Sequence, residues 1–201
     1  MDPQMTTTPI QTLPDTYALL LEKTSQSGFT MASDPLTCSL LRTLAASKPA
    51  GRFLELGTGT GLSTAWILDG MDQQSTLVSI DNDPAFLALA KETFAADPRL
   101  CLQLADGGDW ITANATEKFD YIFADTWHGK YLLLDEVLEL LNDGGLYLID
   151  DMLPQPNWPE GHAAKARQLM DYLDTRTDLL LTRLNWASGI IIAVKKSSGA
   201  D

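Results

Sequence analysis

Two groups of residues in this 201-residue chain have the types and spacing to do chemistry. The first runs from Glu55 to Thr64. An apolar run ends in Glu55-Leu56, glycines follow at Gly57, Gly59 and Gly61, and a helix is predicted to open on Leu62-Ser63-Thr64. Glycines let a turn approach a ligand closely because no Cβ intrudes. The free N–H groups of a helix start can serve a polar or anionic group. Asp81 lies 24 residues after Gly57, at the end of the next apolar run. A carboxylate there can accept hydrogen bonds from ribose hydroxyls. The second group is acidic. Asp125 is followed by Trp127 and His128, and Asp150-Asp151 closes a later apolar run. Three carboxylates at close quarters repel unless a cation, a shared proton or hydrogen-bond donors make them tolerable. A hard divalent ion with oxygen ligands, Mg²⁺ first, would do this. His128, with an ordinary pKa of ~6.5, could take a proton near neutral pH.

The elements that must position these residues alternate. Strands are predicted at 52–56, 76–80, 100–104, 121–124 and 145–149, with helices at 63–71, 84–95, 107–114 and 131–141 between them. Repeated strand–helix–strand units make a parallel sheet with helices on both faces the economical fold. Ligands in such sheets bind at the carboxyl ends of the strands, where all the residues named above fall. If the fourth and fifth strands are neighbours, Asp125, Asp150 and Asp151 converge at one edge. Upstream, helices are predicted over 15–27 and over 35–46, the latter with Ser33 or Asp34 as cap and Pro35 in its first turn. Downstream, a loop carrying Pro154, Pro156 and Pro159 leads to a helix over 160–174. Two apolar runs, 179–184 and 189–194, then read as a β-hairpin. Asp83 or Asn82 can cap the helix at Pro84, and Asp106 the helix after it.

Length and composition fit one domain, 15–201, behind a flexible N-terminal segment, 1–14. A net charge of -13 argues against nucleic acid or an anionic membrane as partner. Cys38 and Cys101 fit no metal-ligand spacing and read as two reduced, buried thiols. With no long apolar span and no signal-peptide pattern, a cytoplasmic protein is the expectation.

The form E-x-G-x-G-x-G at Glu55–Gly61 resembles motif I of the class I S-adenosylmethionine-dependent methyltransferases, and the likeness extends over about 28–195. It implies a Rossmann-like seven-stranded, mostly parallel sheet with a C-terminal antiparallel hairpin. It implies S-adenosylmethionine held by Glu55, Gly57, Gly59, Ser63, Asp81, Asn82, Asp106 and Asp125, with Trp127 as a wall and residues 31–33 folding over the cofactor. The acidic group narrows the resemblance to the catechol and caffeoyl-CoA O-methyltransferases. There an aspartate after strand four and an Asp-Asn pair after strand five hold Mg²⁺, and D-x-W-K-x-x-Y supplies a lysine base. Asp125, Trp127, Tyr131 and Asp150 match. Asp151 stands for the asparagine and His128 for the lysine. The implied set is therefore Asp125, Asp150 and Asp151 on a metal, with His128 and Asp125 catalytic and a small-molecule acceptor. Trp158, His162 and Trp186 are loop aromatics that could meet a flat substrate. A homodimer joined through N-terminal helices is also implied. Other readings stay open: a metal-independent methyltransferase, an NAD-dependent oxidoreductase, which Leu62 in place of a third glycine disfavours, or a cofactor-binding protein without turnover.

Overall fold

The computed structural model describes residues 10, 12–155 and 158–197. Seven strands form one sheet in the order β3-β2-β1-β4-β5-β7-β6. The strands are β1 (Arg52–Leu56), β2 (Thr76–Asp81), β3 (Leu100–Leu104), β4 (Phe119–Ala124), β5 (Leu141–Ile149), β6 (Leu179–Leu184) and β7 (Ile190–Lys195). The first five are parallel, and β7 runs antiparallel to both β5 and β6. The chain order reverses between β1 and β4, and the crevice of a doubly wound sheet opens at that point.

Both faces of the sheet are covered, which is why its inner strands read as continuous apolar runs. Alternate residues of β1 and β4 go to opposite cores. Phe53, Tyr121 and Phe123 pack with Trp66, Ile67, Leu20 and Leu41 from α1 (Tyr17–Ser27), α2 (Pro35–Ala45) and α3 (Leu62–Gly70). Leu54, Leu56 and Ile122 pack with Trp110, Val137 and Leu169 from α5 (Gly107–Ala113), α6 (Leu134–Glu139) and α7 (His162–Thr175). The remaining helix, α4 (Pro84–Thr93), crosses between β2 and β3 on the first face. Each fully buried Leu, Ile or Phe contributes roughly 1.5–3 kcal/mol. The two cores therefore hold the strand ends rigidly while the loops beyond them carry the site.

Three expectations need correction. The helix predicted at 131–141 forms only over Leu134–Glu139, because a tight turn at Trp127–Leu132 uses the preceding residues and Leu133 takes a left-handed conformation, φ 56°. That leaves 141–144 to extend β5 at its start. Cys101 is exposed, on β3 at the edge of the sheet; Cys38 is buried. The loose N-terminal segment falls mainly outside the described residues, as does Pro156. Of its described part, Pro14 is buried and the Thr12 carbonyl accepts a 2.9 Å hydrogen bond from Arg42 on α2.

Candidate functional site

A cleft of about 530 Å³ opens at the carboxyl ends of β1, β2 and β4. Its floor is the turn from Gly57 to Ser63. Asp81 and Asn82 border it after β2, Ala105 and Gly107 after β3, and Asp125 to His128 after β4. Phe29 and residues 31–33 close another side, with the Phe29 ring 4.8 Å from that of Phe86.

The turn is built so that only glycine fits its first position. Gly57 has φ 104°, and a Cβ there would lie 2.6 Å from Thr126 Cγ2. The N–H groups of Gly57 and Thr58 both donate to the Ile80 carbonyl, at 2.9 and 3.1 Å, so the turn is tied down to β2. Gly57→Ala should cost about 2 kcal/mol of stability, from left-handed strain plus the clash. Urea denaturation would read this, and a loss under half that value would show the turn to be slack.

Asp81 links the turn to β2. Its Oδ2 accepts from Gly59 N at 2.7 Å and its Oδ1 from Asp83 N at 2.9 Å. A carboxylate offers about four lone-pair positions, so both oxygens keep capacity for a ligand. Asp83 caps α4 through Ala85 N and Phe86 N, and it lines the cleft beside Asp81 and Asn82. Glu55, expected to hold cofactor, does not reach the cleft. It is fully buried and accepts from Ser63 Oγ (2.6 Å), Thr64 Oγ1 (2.6 Å) and Ser79 Oγ (2.5 Å). Burial outweighs these donors and pushes its pKa up to about 7. Ser63 lines the cleft but turns its hydroxyl back to Glu55. Asp106 takes the helix-capping role that its place in the sequence also allows. It caps α5, accepting from Gly108 N and Asp109 N, and these bonds hold its carboxyl below the usual range.

The acidic group is assembled differently from the expected metal set. Asp125 lines the cleft. Its Oδ2 accepts from Ser33 Oγ at 2.8 Å, and its Oδ1 faces Lys130 Nζ at 3.5 Å. Burial raises its pKa, and the Lys130 charge opposes that rise. Asp150 Oδ1 accepts from Ser188 Oγ, from Asp151 N at 2.8 Å and from Thr37 Oγ1 at 3.4 Å. Burial, then the Asp125 charge, pushes Asp150 up to about 7. Asp151 takes a left-handed backbone, φ 57°. Among the described residues no three His, Cys, Asp or Glu side chains are grouped to hold an ion. Mg²⁺ takes six oxygens at octahedral positions, among them carboxylate oxygens free to face it. Here Ser33 bonds Asp125 Oδ2, the Lys130 ammonium faces Asp125 Oδ1, and three donors converge on Asp150 Oδ1, so the carboxylates as arranged do not fit Mg²⁺.

His128 is not packed among these carboxylates. Its ring lies against Gly107 and Gly108, with Nε2 4.0 Å from Asp106 Oδ1, at the β3 end of the cleft. The sequence reading missed Lys130; the one available signal was a lysine two residues beyond the family's lysine position. Trp127 lines the cleft and meets Tyr131 and His162 edge-on, at 5.8 and 6.0 Å. The Tyr131 hydroxyl is 3.1 Å from His162 Nε2, and Trp158 lies 4.4 Å from the same imidazole. Of the expected loop aromatics, then, Trp158 and His162 join Trp127. Trp186 does not: its Nε1 donates to Leu36 O at 3.2 Å, which pins the β6–β7 turn to α2.

Residues 54–152 match the family model described as a methyltransferase domain. About half of the chain is thus similar to a methyltransferase domain. The chain is 37% identical over 91 residues to a candidate O-methyltransferase of Mycobacterium leprae, covering 43% of this chain and 39% of that protein. A second, from Mycobacterium avium, is 31% identical over 125 residues, covering 59% and 55%. The chain thus spans about half or less of these relatives' length. The fold is that of the Bacillus cereus O-methyltransferase crystallised with S-adenosylhomocysteine (TM-score 0.81, 17% identity, 93% of each chain). It is also that of TomG from Streptomyces achromogenes, an O-methyltransferase of tomaymycin synthesis crystallised with S-adenosylmethionine (TM-score 0.79, 18% identity, 92% of each chain). Among the described residues no helix is long and apolar enough to cross a membrane.

Proposed function

We propose that this protein methylates a hydroxyl oxygen of a small molecule, with S-adenosylmethionine as donor. The observation that carries the reading is Asp81. Its carboxylate is fixed by Gly59 N and Asp83 N at the mouth of a cleft bordered by a glycine turn, inside a methyltransferase domain. Asp81 would hold the ribose hydroxyls, with Asn82 beside it. Ala105, Gly107 and the His128 ring would flank the base. The cofactor supplies an electrophilic methyl group on a sulfonium. The chain's own residues supply orientation and a proton acceptor. Asp125 suits the second role: it lines the cleft, and burial makes its carboxylate more basic. Trp127, beside Asp125 in the wall, would orient the acceptor.

Calorimetric titration with S-adenosylhomocysteine tests the binding half, and transfer of labelled methyl to a panel of small hydroxylated compounds tests the chemical half. Saturable binding with turnover is expected. No binding of the nucleoside would overturn the reading; binding without turnover on any acceptor would favour a cofactor-binding protein. His128→Ala should raise KM for S-adenosylmethionine a few-fold and leave kcat nearly unchanged, since His128 faces Asp106 and the start of α5. A kcat loss of two orders of magnitude would restore His128 as the base.

A further inference from the structure

The turn after β4 delivers a lysine into the acidic group. Tyr131 N and Leu132 N both donate to the Trp127 carbonyl, at 2.9 and 3.0 Å, and Gly129 takes φ 86°. Gly129 packs so closely on Leu56 that a Cβ would lie 2.8 Å from Leu56 Cδ1, and its carbonyl accepts from the Tyr147 hydroxyl. The chain is thereby reversed, and Lys130 turns inward with only 5% of its side chain exposed. Burying an ammonium is costly unless an opposite charge receives it. Asp125, itself 13% exposed, is that charge.

We propose that the Lys130 ammonium is the built-in cation of this acidic site and stands in place of a divalent metal. The residues around it agree. Ser33, Ser188 and Thr37 donate to the carboxylates that a metal would otherwise need. Lys130 is a positioning residue here. It keeps Asp125 oriented beside the cleft by neutralising it from behind, while Ser33 holds the other carboxylate oxygen. Methyl transfer is then indifferent to chelators. This assignment rests on the methyl-transfer reading for its role but not for its geometry.

The test is a Mn²⁺ titration, followed by calorimetry and electron paramagnetic resonance, on protein saturated with S-adenosylhomocysteine. Wild type should bind no Mn²⁺ saturably, and its turnover should survive a chelator. Lys130→Ala should lose most of its turnover, gain saturable Mn²⁺ binding and recover part of the activity when Mn²⁺ is added. Lys130→Arg, which keeps the charge, should remain metal-free and active. Saturable Mn²⁺ binding by wild type overturns the proposal. So does a Lys130→Ala protein that neither gains Mn²⁺ binding nor loses activity. If Lys130→Ala does not fold, the wild-type titration and Lys130→Arg decide the matter. The S-adenosylhomocysteine heats in the same samples keep the two claims apart. Nucleoside binding accompanied by wild-type Mn²⁺ binding sinks only the lysine assignment. Absent nucleoside binding sinks the methyl-transfer reading and leaves the metal result standing.

Discussion

Asp81→Ala should raise the Kd for S-adenosylhomocysteine by about a hundredfold. Two hydrogen bonds from ribose hydroxyls to a charged acceptor contribute roughly 1.5 kcal/mol each at the low end of their range, and about 3 kcal/mol in total corresponds to that factor. The substitution also frees Gly59 N, now 2.7 Å from Oδ2, so the glycine turn loses its tie to the end of β2. Gly57 N and Thr58 N would still hold the turn through the Ile80 carbonyl, and Asp83 would still cap α4. The fold should therefore survive, with the loss confined to the ligand. Asp81→Asn keeps one acceptor oxygen and should cost about tenfold. Ribose contacts are made equally before and during the chemical step, so KM for the donor should rise while kcat at saturation changes little. Calorimetry of both variants checks the affinities. A Kd for Asp81→Ala within threefold of wild type would remove Asp81 from the binding site.

The fold was legible because its signals are local and repeated. β1 and β3 have the predicted bounds, and the alternation of strands and helices leads directly to the observed parallel sheet. The glycine turn was legible for the same reason, since φ angles of 104° at Gly57 and 95° at Gly61 select glycine by themselves. What sequence could not resolve was which of several polar residues turns inward. Glu55, Asp106 and Asp81 all follow apolar runs and all carry a carboxylate. One is buried under three hydroxyls, one caps a helix, and one faces the cleft. Those outcomes depend on Ser79, from another strand, and on the path of the backbone after β3. Lys130 was hidden for a related reason. Its direction is set by a turn whose key partner, Tyr147, lies on β5. The donors to Asp125 and Asp150 come from Ser33, Thr37 and Ser188, of which Thr37 and Ser188 lie 151 residues apart in the chain, and no spacing rule reaches that far.

Glu55 should make the protein less stable as pH rises from about 4.5 to about 7, the span between its ordinary and its folded pKa. Between those values the folded chain holds a proton on Glu55 that the unfolded chain has released, so the folded state binds more protons and stability falls with pH. The contribution is fully present below about 4.5 and gone above about 7. At about 1.4 kcal/mol per unit, the span amounts to roughly 3 kcal/mol. Asp150, pushed to about 7 by burial and the Asp125 charge, steepens the same fall. Carboxyls held low by a donor, such as Asp97 under the Arg99 guanidinium, titrate below this window and do not offset it. The bonding around Glu55 accommodates the proton. Ser79 Oγ lies 2.5 Å from Glu55 Oε2 and 2.6 Å from Thr58 Oγ1, so a protonated Glu55 can donate to Ser79 while Ser79 donates onward to Thr58. Urea unfolding at intervals across the window should show the decline in wild type. Glu55→Gln, neutral at every pH and of the same shape, should remove about half of it and leave the part due to Asp150. Wild-type stability that rises over the same interval would mean that Glu55 is already ionised in the folded protein, its charge carried by Ser63, Thr64 and Ser79 together.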